Sequence, residues 1–122
     1  MASNYTVALV GLGRIAWRGF GPGVETHAET IRLHPRLRLV ASIDTDAMAR
    51  ADFQAKYGVE VYDRYVKADI AVICTPAAYH AAWVAAYTAS DCRDILCEKP
   101  LSDSLAAAEG IVGACETFHK DM

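Results

Sequence analysis

Nothing in this chain directs it to a nucleic acid, a bilayer or a disulfide-rich exterior. Its 12 Lys and Arg are outnumbered by 15 Asp and Glu, for a net charge of −3 and a pI near 5.7. With no basic run, nucleic acid and anionic membrane are excluded as main partners. No apolar run approaches the roughly 18 residues that span a bilayer. The opening Met1-Ala2-Ser3-Asn4-Tyr5 has neither the charged nor the apolar region of a secretory signal, so a cytoplasmic location is expected. The four cysteines, Cys74, Cys92, Cys97 and Cys115, form no Cys-x-x-Cys, and no His pair stands at zinc-ligand spacing. They read as structural thiols, and no metal site is expected. Repeats and low-complexity linkers are missing too, and 122 residues make one domain able to bury a core.

What is present is alternation. Apolar segments at Tyr5–Val10, Leu37–Ile43, Val59–Tyr62, Ile70–Cys74 and Asp94–Cys97 read as strands. The first and fourth are nearly continuous apolar runs, as in strands covered on both faces. Helices are expected at Thr45–Tyr57, before Gly58, and at Pro76–Ala89, with Thr75 as N-cap and Pro at the first helical position. A third is expected at Ser102–His119, rich in Ala. Such alternation predicts an α/β fold: a doubly wound parallel sheet of about five strands with right-handed crossovers. Two places are irregular. Gly21-Pro22-Gly23 lies where a first helix should continue, so one turn, a loop (an insertion near 18–26) and a restart near Glu25 are expected. Asp63 to Asp69 is short for a crossover, which normally needs about a dozen residues.

The first strand runs directly into Gly11-Leu-Gly13-Arg14-Ile15-Ala16. This Gly-x-Gly-x-x-Ala turn is how a strand hands over to a helix in a Rossmann-like dinucleotide-binding fold. Gly11 permits the tight turn, Gly13 lets backbone approach a pyrophosphate, and Ala16 lets helix pack on strand. Unpaired N–H groups opening the helix would face the anion. The same residues also make a plain tight β–α turn. Asp44 follows the second strand, where a carboxylate accepts from the adenosine ribose hydroxyls and favours NAD over NADP. It stands 33 positions after Gly11, against the roughly 20 expected, and the Gly-Pro-Gly insertion accounts for much of the excess. Asp44 could equally start a turn or cap a helix. NADP would call for a positive residue nearby, and Arg50 is too far along the chain to assume.

Cys97-Glu98-Lys99-Pro100-Leu101, together with Gly11-Leu-Gly13 and Cys74-Thr75-Pro76-x-x-x-His80, resembles the Gfo/Idh/MocA oxidoreductases. The order of the motifs matches, and the resemblance covers nearly the whole chain. That family consists of NAD(P)-dependent dehydrogenases and reductases acting mostly on sugars, inositols and related alcohols. The resemblance implies a Rossmann-like cofactor domain spanning residues 1–122. Gly11, Gly13, Arg14, Ile15 and Ala16 would flank the pyrophosphate, and Asp44 would hold the ribose. Thr75, Pro76 and His80 would line the nicotinamide side. Glu98 and Lys99 would sit beneath the nicotinamide, with Lys99 stabilising a developing alkoxide and Glu98 holding its ammonium. From spacing alone, Lys99 reads as a solvated residue after a strand.

The family's sixth strand and C-terminal substrate domain have no counterpart before Met122. That domain supplies an Asp-x-x-x-His pair, and nothing after Lys99 replaces it; His119 reads as a surface residue. Two functions are therefore weighed. One is the NAD-binding part of a dehydrogenase, inactive alone and needing a second domain or chain to hold a sugar or polyol substrate. The other is a non-catalytic Rossmann-like module that oligomerises or docks on a partner. Loss of the covering domain would expose apolar surface and a sheet edge, so a homo-oligomer is expected. Light scattering at high concentration checks this, and a clean monomer counts against it.

Overall fold

The computed structural model of the protein describes residues 4–19 and 26–117. Among these, five strands form one sheet: β1 (Tyr5–Val10), β2 (Leu37–Ile43), β3 (Val61–Tyr62), β4 (Ile70–Ile73) and β5 (Asp94–Cys97). Four α-helices alternate with them: α1 (His27–Leu33), α2 (Ala47–Tyr57), α3 (His80–Thr88) and α4 (Leu105–Thr117). The spatial order is β3-β2-β1-β4-β5, and every pairing is parallel. The chain builds outward from β1 to β3, then returns to the other side of β1 for β4 and β5. The reversal between β1 and β4 is the topological switch point, where ligands bind in open α/β sheets.

Period-two geometry explains the two-sided core. Along β1, Ala8 and Val10 face one way and pack in a buried cluster with Val84, Tyr87 and Ile111 of α3 and α4. Val7 and Leu9 face the other way and join Ile31, Ala49 and Phe53 of α1 and α2. A strand apolar at successive positions needs helices on both faces, and parallel crossovers supply them. Ala16 is fully buried in the second cluster, as its small size in the glycine turn predicts.

The first helix stops after a single turn. Residues Arg14–Arg18 make one wide turn, closed by the Gly19 N–H on the Arg14 carbonyl at 2.7 Å. Gly19 has φ +81°, which helix propagation cannot follow. The helix restarts at His27, with the Thr26 hydroxyl accepting from the Glu29 N–H. The Phe20–Gly23 part of the insertion and His119 lie outside the described residues.

Several boundaries differ from expectation. β3 has only two residues, Val61 and Tyr62, and sits at the sheet edge. Residues 63–69 then cross β2 and β1 to reach β4. That is about 14 Å of lateral travel at strand spacing, within the roughly 23 Å that seven residues can reach. α2 begins at Ala47 because Asp46 caps it, accepting from the Met48 N–H. Thr75 is not an N-cap. Pro76 stays extended (φ −55°, ψ 148°), a 3-10 turn follows at Ala77–Tyr79, and α3 starts at His80. The His80 ring nitrogens lie 2.7 Å and 3.0 Å from the Thr75 and Leu101 carbonyls, which draws the start of α3 into the fold. β4 accordingly stops at Ile73. α4 begins at Leu105 rather than at Ser102, and the Ser104 hydroxyl accepts from the Ala107 N–H.

Gly11 is where glycine is indispensable. Its φ is +89°, and a Cβ there would lie 2.7 Å from the Thr75 nitrogen and 2.8 Å from the Cys74 carbonyl carbon, both backbone atoms. Gly11→Ala combines a left-handed conformation with a backbone clash and should cost about 2–5 kcal/mol. Gly13→Ala meets nothing within 4 Å and should cost no more than about 1 kcal/mol. Urea unfolding of the two variants checks the contrast.

Candidate functional site

The carboxyl ends of β1, β2 and β4 converge on a cavity of about 770 Å³. Gly11 and Gly13 line it from β1, Asp44, Thr45 and Asp46 from β2, and Thr75 and Pro76 from β4. The glycine turn and the acidic end of β2, 33 positions apart in sequence, are thus parts of one surface. Parallel strands all deliver their carboxyl ends to the same edge, so this convergence follows from the topology.

Asp44 stitches the surface together. One carboxylate oxygen accepts from the Leu12 N–H at 2.9 Å and the other from the Asp46 N–H at 2.9 Å. The turn and ribose readings of Asp44 are therefore compatible. A carboxylate offers about four acceptor positions, and two are used by backbone. Arg50, read as too distant from sequence, donates to the Asp44 carbonyl at 2.8 Å; one helical turn of α2 brings it back.

Two further observations suit a phosphate- and hydroxyl-bearing ligand. The Thr75 hydroxyl is buried and has no hydrogen-bond partner among the described residues, although Thr75 lines the cavity. At Gly13 the space a Cβ would enter is open, leaving its backbone bare toward the cavity. The single turn Arg14–Arg18 aligns few peptide dipoles, so attraction for an anion falls mainly on the turn's own amides.

The remaining expected residues are placed differently. Arg14 is exposed and Ile15 half-buried; neither forms part of the cavity wall. His80 does not line the cavity: it is 1% exposed, with both ring nitrogens turned to backbone carbonyls. It clasps the Thr75 loop to the Glu98–Leu101 loop instead. Glu98 and Lys99 also stand outside the cavity wall, at the end of β5. Glu98 is hydrogen-bonded to His27 rather than to the Lys99 ammonium, whose charge it still feels. Its carboxylate meets the His27 ring nitrogen at 2.7 Å and accepts from the Lys99 backbone N–H at 3.3 Å. The Lys99–Pro100 peptide is cis, and Lys99 is exposed.

His27, Arg18, Tyr79 and Trp83 were not anticipated. Arg18, Tyr79 and Trp83 all line the cavity. For Tyr79 and Trp83 the available signal was their spacing of four on the helix that follows Thr75-Pro76. For His27 there was none, because its partner Glu98 lies 71 residues away.

The thiols are electrostatically quiet. Burial, then the charge of Glu98, pushes Cys74 up to about 12; burial pushes Cys97 up to about 11. Neither is poised as a thiolate. Among the described residues no group of His, Cys, Asp and Glu is arranged to hold a metal ion, and no helix is long and apolar enough to cross a membrane.

The fold and cavity define a dinucleotide-binding α/β domain. Residues 5–121 match the Gfo/Idh/MocA oxidoreductase family, NAD-binding Rossmann fold, and the chain belongs to it. An inositol 2-dehydrogenase of Rubrobacter xylanophilus is 34% identical over 95 residues, covering 72% of this chain and 27% of that protein. The WlbA dehydrogenase of Bordetella pertussis, solved with NADH and UDP-GlcNAcA, superposes with a TM-score of 0.83 at 23% identity, over 98% of this chain and 35% of that one. The myo-inositol 2-dehydrogenase of Lactobacillus plantarum superposes with a TM-score of 0.79 at 21% identity, over 95% of this chain and 34% of that one. The chain thus spans about a third of the length of these structures. It constitutes the NAD-binding domain of the family.

The Glu98–His27 contact has a measurable consequence. Chiefly through the hydrogen bond from His27, and against the effect of burial, the Glu98 carboxyl is held below the ordinary glutamate value. A depressed carboxyl stabilises the fold at pH above its unfolded-state value, and that contribution fades as pH falls through the lowered folded-state value. In His27→Ala the Glu98 titration, followed by carboxyl ¹³C NMR, should rise toward the usual value of about 4.3. An unmoved midpoint would assign the depression to another group.

Proposed function

We propose that this chain is the cofactor-holding part of a dehydrogenase that passes hydride between NAD and a sugar- or polyol-type alcohol, and that by itself it binds NAD without turnover. The observation that carries the proposal is the union, on one cavity wall, of the glycine turn, Asp44 and Thr75. NAD, when bound, supplies the carbon that accepts or returns the hydride. Gly11 and Gly13 admit the pyrophosphate to bare backbone. Asp44 accepts from the adenosine ribose diol with the acceptor positions its turn leaves open.

At the reacting end, Lys99 places an ammonium where it lowers the cost of an alkoxide on the substrate alcohol. Glu98, held by His27, accepts from the Lys99 backbone N–H and shapes the turn that carries that ammonium. The polyol class is supported by the inositol 2-dehydrogenase likeness, and the sugar class by the WlbA complex. Substrate-choosing residues and a proton acceptor are expected from a second domain or chain.

A second reading, an assembly module that oligomerises, is favoured by one observation. Leu96 on edge strand β5 is 48% exposed, and Leu105 on α4 is 76% exposed, so apolar side chains stand beside an unpaired sheet edge. The readings make different demands on the cavity.

Titration with NADH by fluorescence separates them: the first expects saturable binding, and none at millimolar cofactor overturns it. Asp44→Ala, checked for fold by circular dichroism, should weaken NADH by about 1–3 kcal/mol. It should also narrow the preference for NADH over NADPH, because the carboxylate that repels a 2′-phosphate is gone.

A further inference from the structure

Glu98 stands between two basic side chains, His27 and Lys99. Its main chain is pinned, the N–H donating to the Ile73 carbonyl at 3.0 Å, so only the side chain is left to choose between them. One carboxylate oxygen lies 2.7 Å from the His27 ring Nε2, and the other accepts from the Lys99 backbone N–H at 3.3 Å. Among the described residues the charges that act on Glu98 are those of His27 and Lys99; the nearby thiols of Cys74 and Cys97 are kept neutral chiefly by burial. The Lys99 ammonium forms no ion pair with a described residue. Adjacency in sequence does not forbid such a pair, since Asp63 and Arg64 meet side chain to side chain at 3.0 Å.

His27 is set before Glu98 by packing that involves neither Glu98 nor Lys99. It opens α1, whose Ala28 and Ile31 are buried in the core and whose first turn is capped by the Thr26 hydroxyl. The His27 and Glu98 side chains are 23% and 26% exposed, whereas Lys99 is exposed. A shielded hydrogen bond to a carboxylate, its donor already in place, outcompetes a pair with a solvated, flexible ammonium, which salt and side-chain entropy weaken. We propose that His27 is a positioning residue: by engaging one carboxylate oxygen of Glu98 it keeps that carboxylate off the Lys99 ammonium and leaves the ammonium open to a substrate oxygen. The inference rests on the reading of Lys99 as the ammonium of the reacting end. An ammonium paired with its own neighbour would stabilise a developing alkoxide less, because the carboxylate would cancel part of its field. His27 touches neither substrate nor cofactor in this role; it acts through Glu98.

The test is a ¹³C NMR titration of the Lys99 ε-carbon in the whole chain, its signal assigned by its loss in Lys99→Arg. A lysine titrates at about pH 10, where an imidazole is neutral, so the bond under test is Nε2–H donating to Glu98. His27→Ala should let Glu98 reach the ammonium and raise the Lys99 midpoint by about half a unit, the size expected of a solvated pair. His27→Gln, whose side-chain N–H can replace Nε2–H, should restore the parent midpoint. Glu98→Gln added to His27→Ala should abolish the rise. If His27→Ala does not fold, Glu98→Gln alone decides. A Lys99 midpoint moved by less than about 0.2 unit supports the assignment, whereas a fall of about half a unit means that Glu98 already neutralises Lys99 and overturns it. A Lys99 midpoint unchanged in folded His27→Ala, or raised equally by His27→Gln, also overturns it. None of these readouts needs cofactor, so failure of NADH to bind would overturn the cofactor reading and leave the His27 assignment to its own measurement.

Discussion

The site depends on one close approach: the turn after β1 passes so near the end of β4 that Gly11 cannot carry a side chain. A Cβ there would sit inside contact distance of the Cys74–Thr75 backbone. Because the two strands are neighbours and parallel, this contact lies at the switch point, and it brings the bare amides of the glycine turn against the Thr75 loop. Asp44 then secures the other flank by accepting from Leu12 and Asp46 at once. The cavity is the space these three strand ends cannot fill.

That arrangement gives several residues two duties. Asp44 builds the turn that it would also help to serve as a ligand site. His80, instead of facing a ligand, spans two backbone carbonyls and couples the cavity loop to the loop carrying Lys99. Glu98 is tied to His27 across the fold, so the position of the Lys99 turn depends on where α1 restarts after the glycine-rich insertion.

The broken first helix alters how an anion would be held. A continuous helix would add an aligned stack of peptide dipoles behind the glycine turn. A five-residue turn offers little of that, and leaves the work to local amides. Arg18 lines the cavity but is paired with Asp52 at 3.0 Å and lies over the Trp17 ring, so the cavity keeps a cation that an acidic neighbour already partly neutralises.

Much was legible from the residues alone, for identifiable reasons. β1, β2 and β5 fall on their expected bounds because apolar runs closed by Gly, Asp or Glu leave little freedom in where a buried strand ends. The five-strand parallel sheet followed from alternation. The Gfo/Idh/MocA likeness was carried by short contiguous motifs. Helix starts were less legible at Thr75 and Ser102, since several residues near each end can cap and only packing selects one. Side-chain partnerships were least legible. Asp44 with Leu12 and Glu98 with His27 join segments brought together by crossovers. Local backbone preference and the demand to bury apolar faces are written residue by residue, and so the sequence by itself determined the elements, their class and the motif set. Which polar atoms meet depends on where distant strand ends arrive in space, and only the tertiary structure decided that.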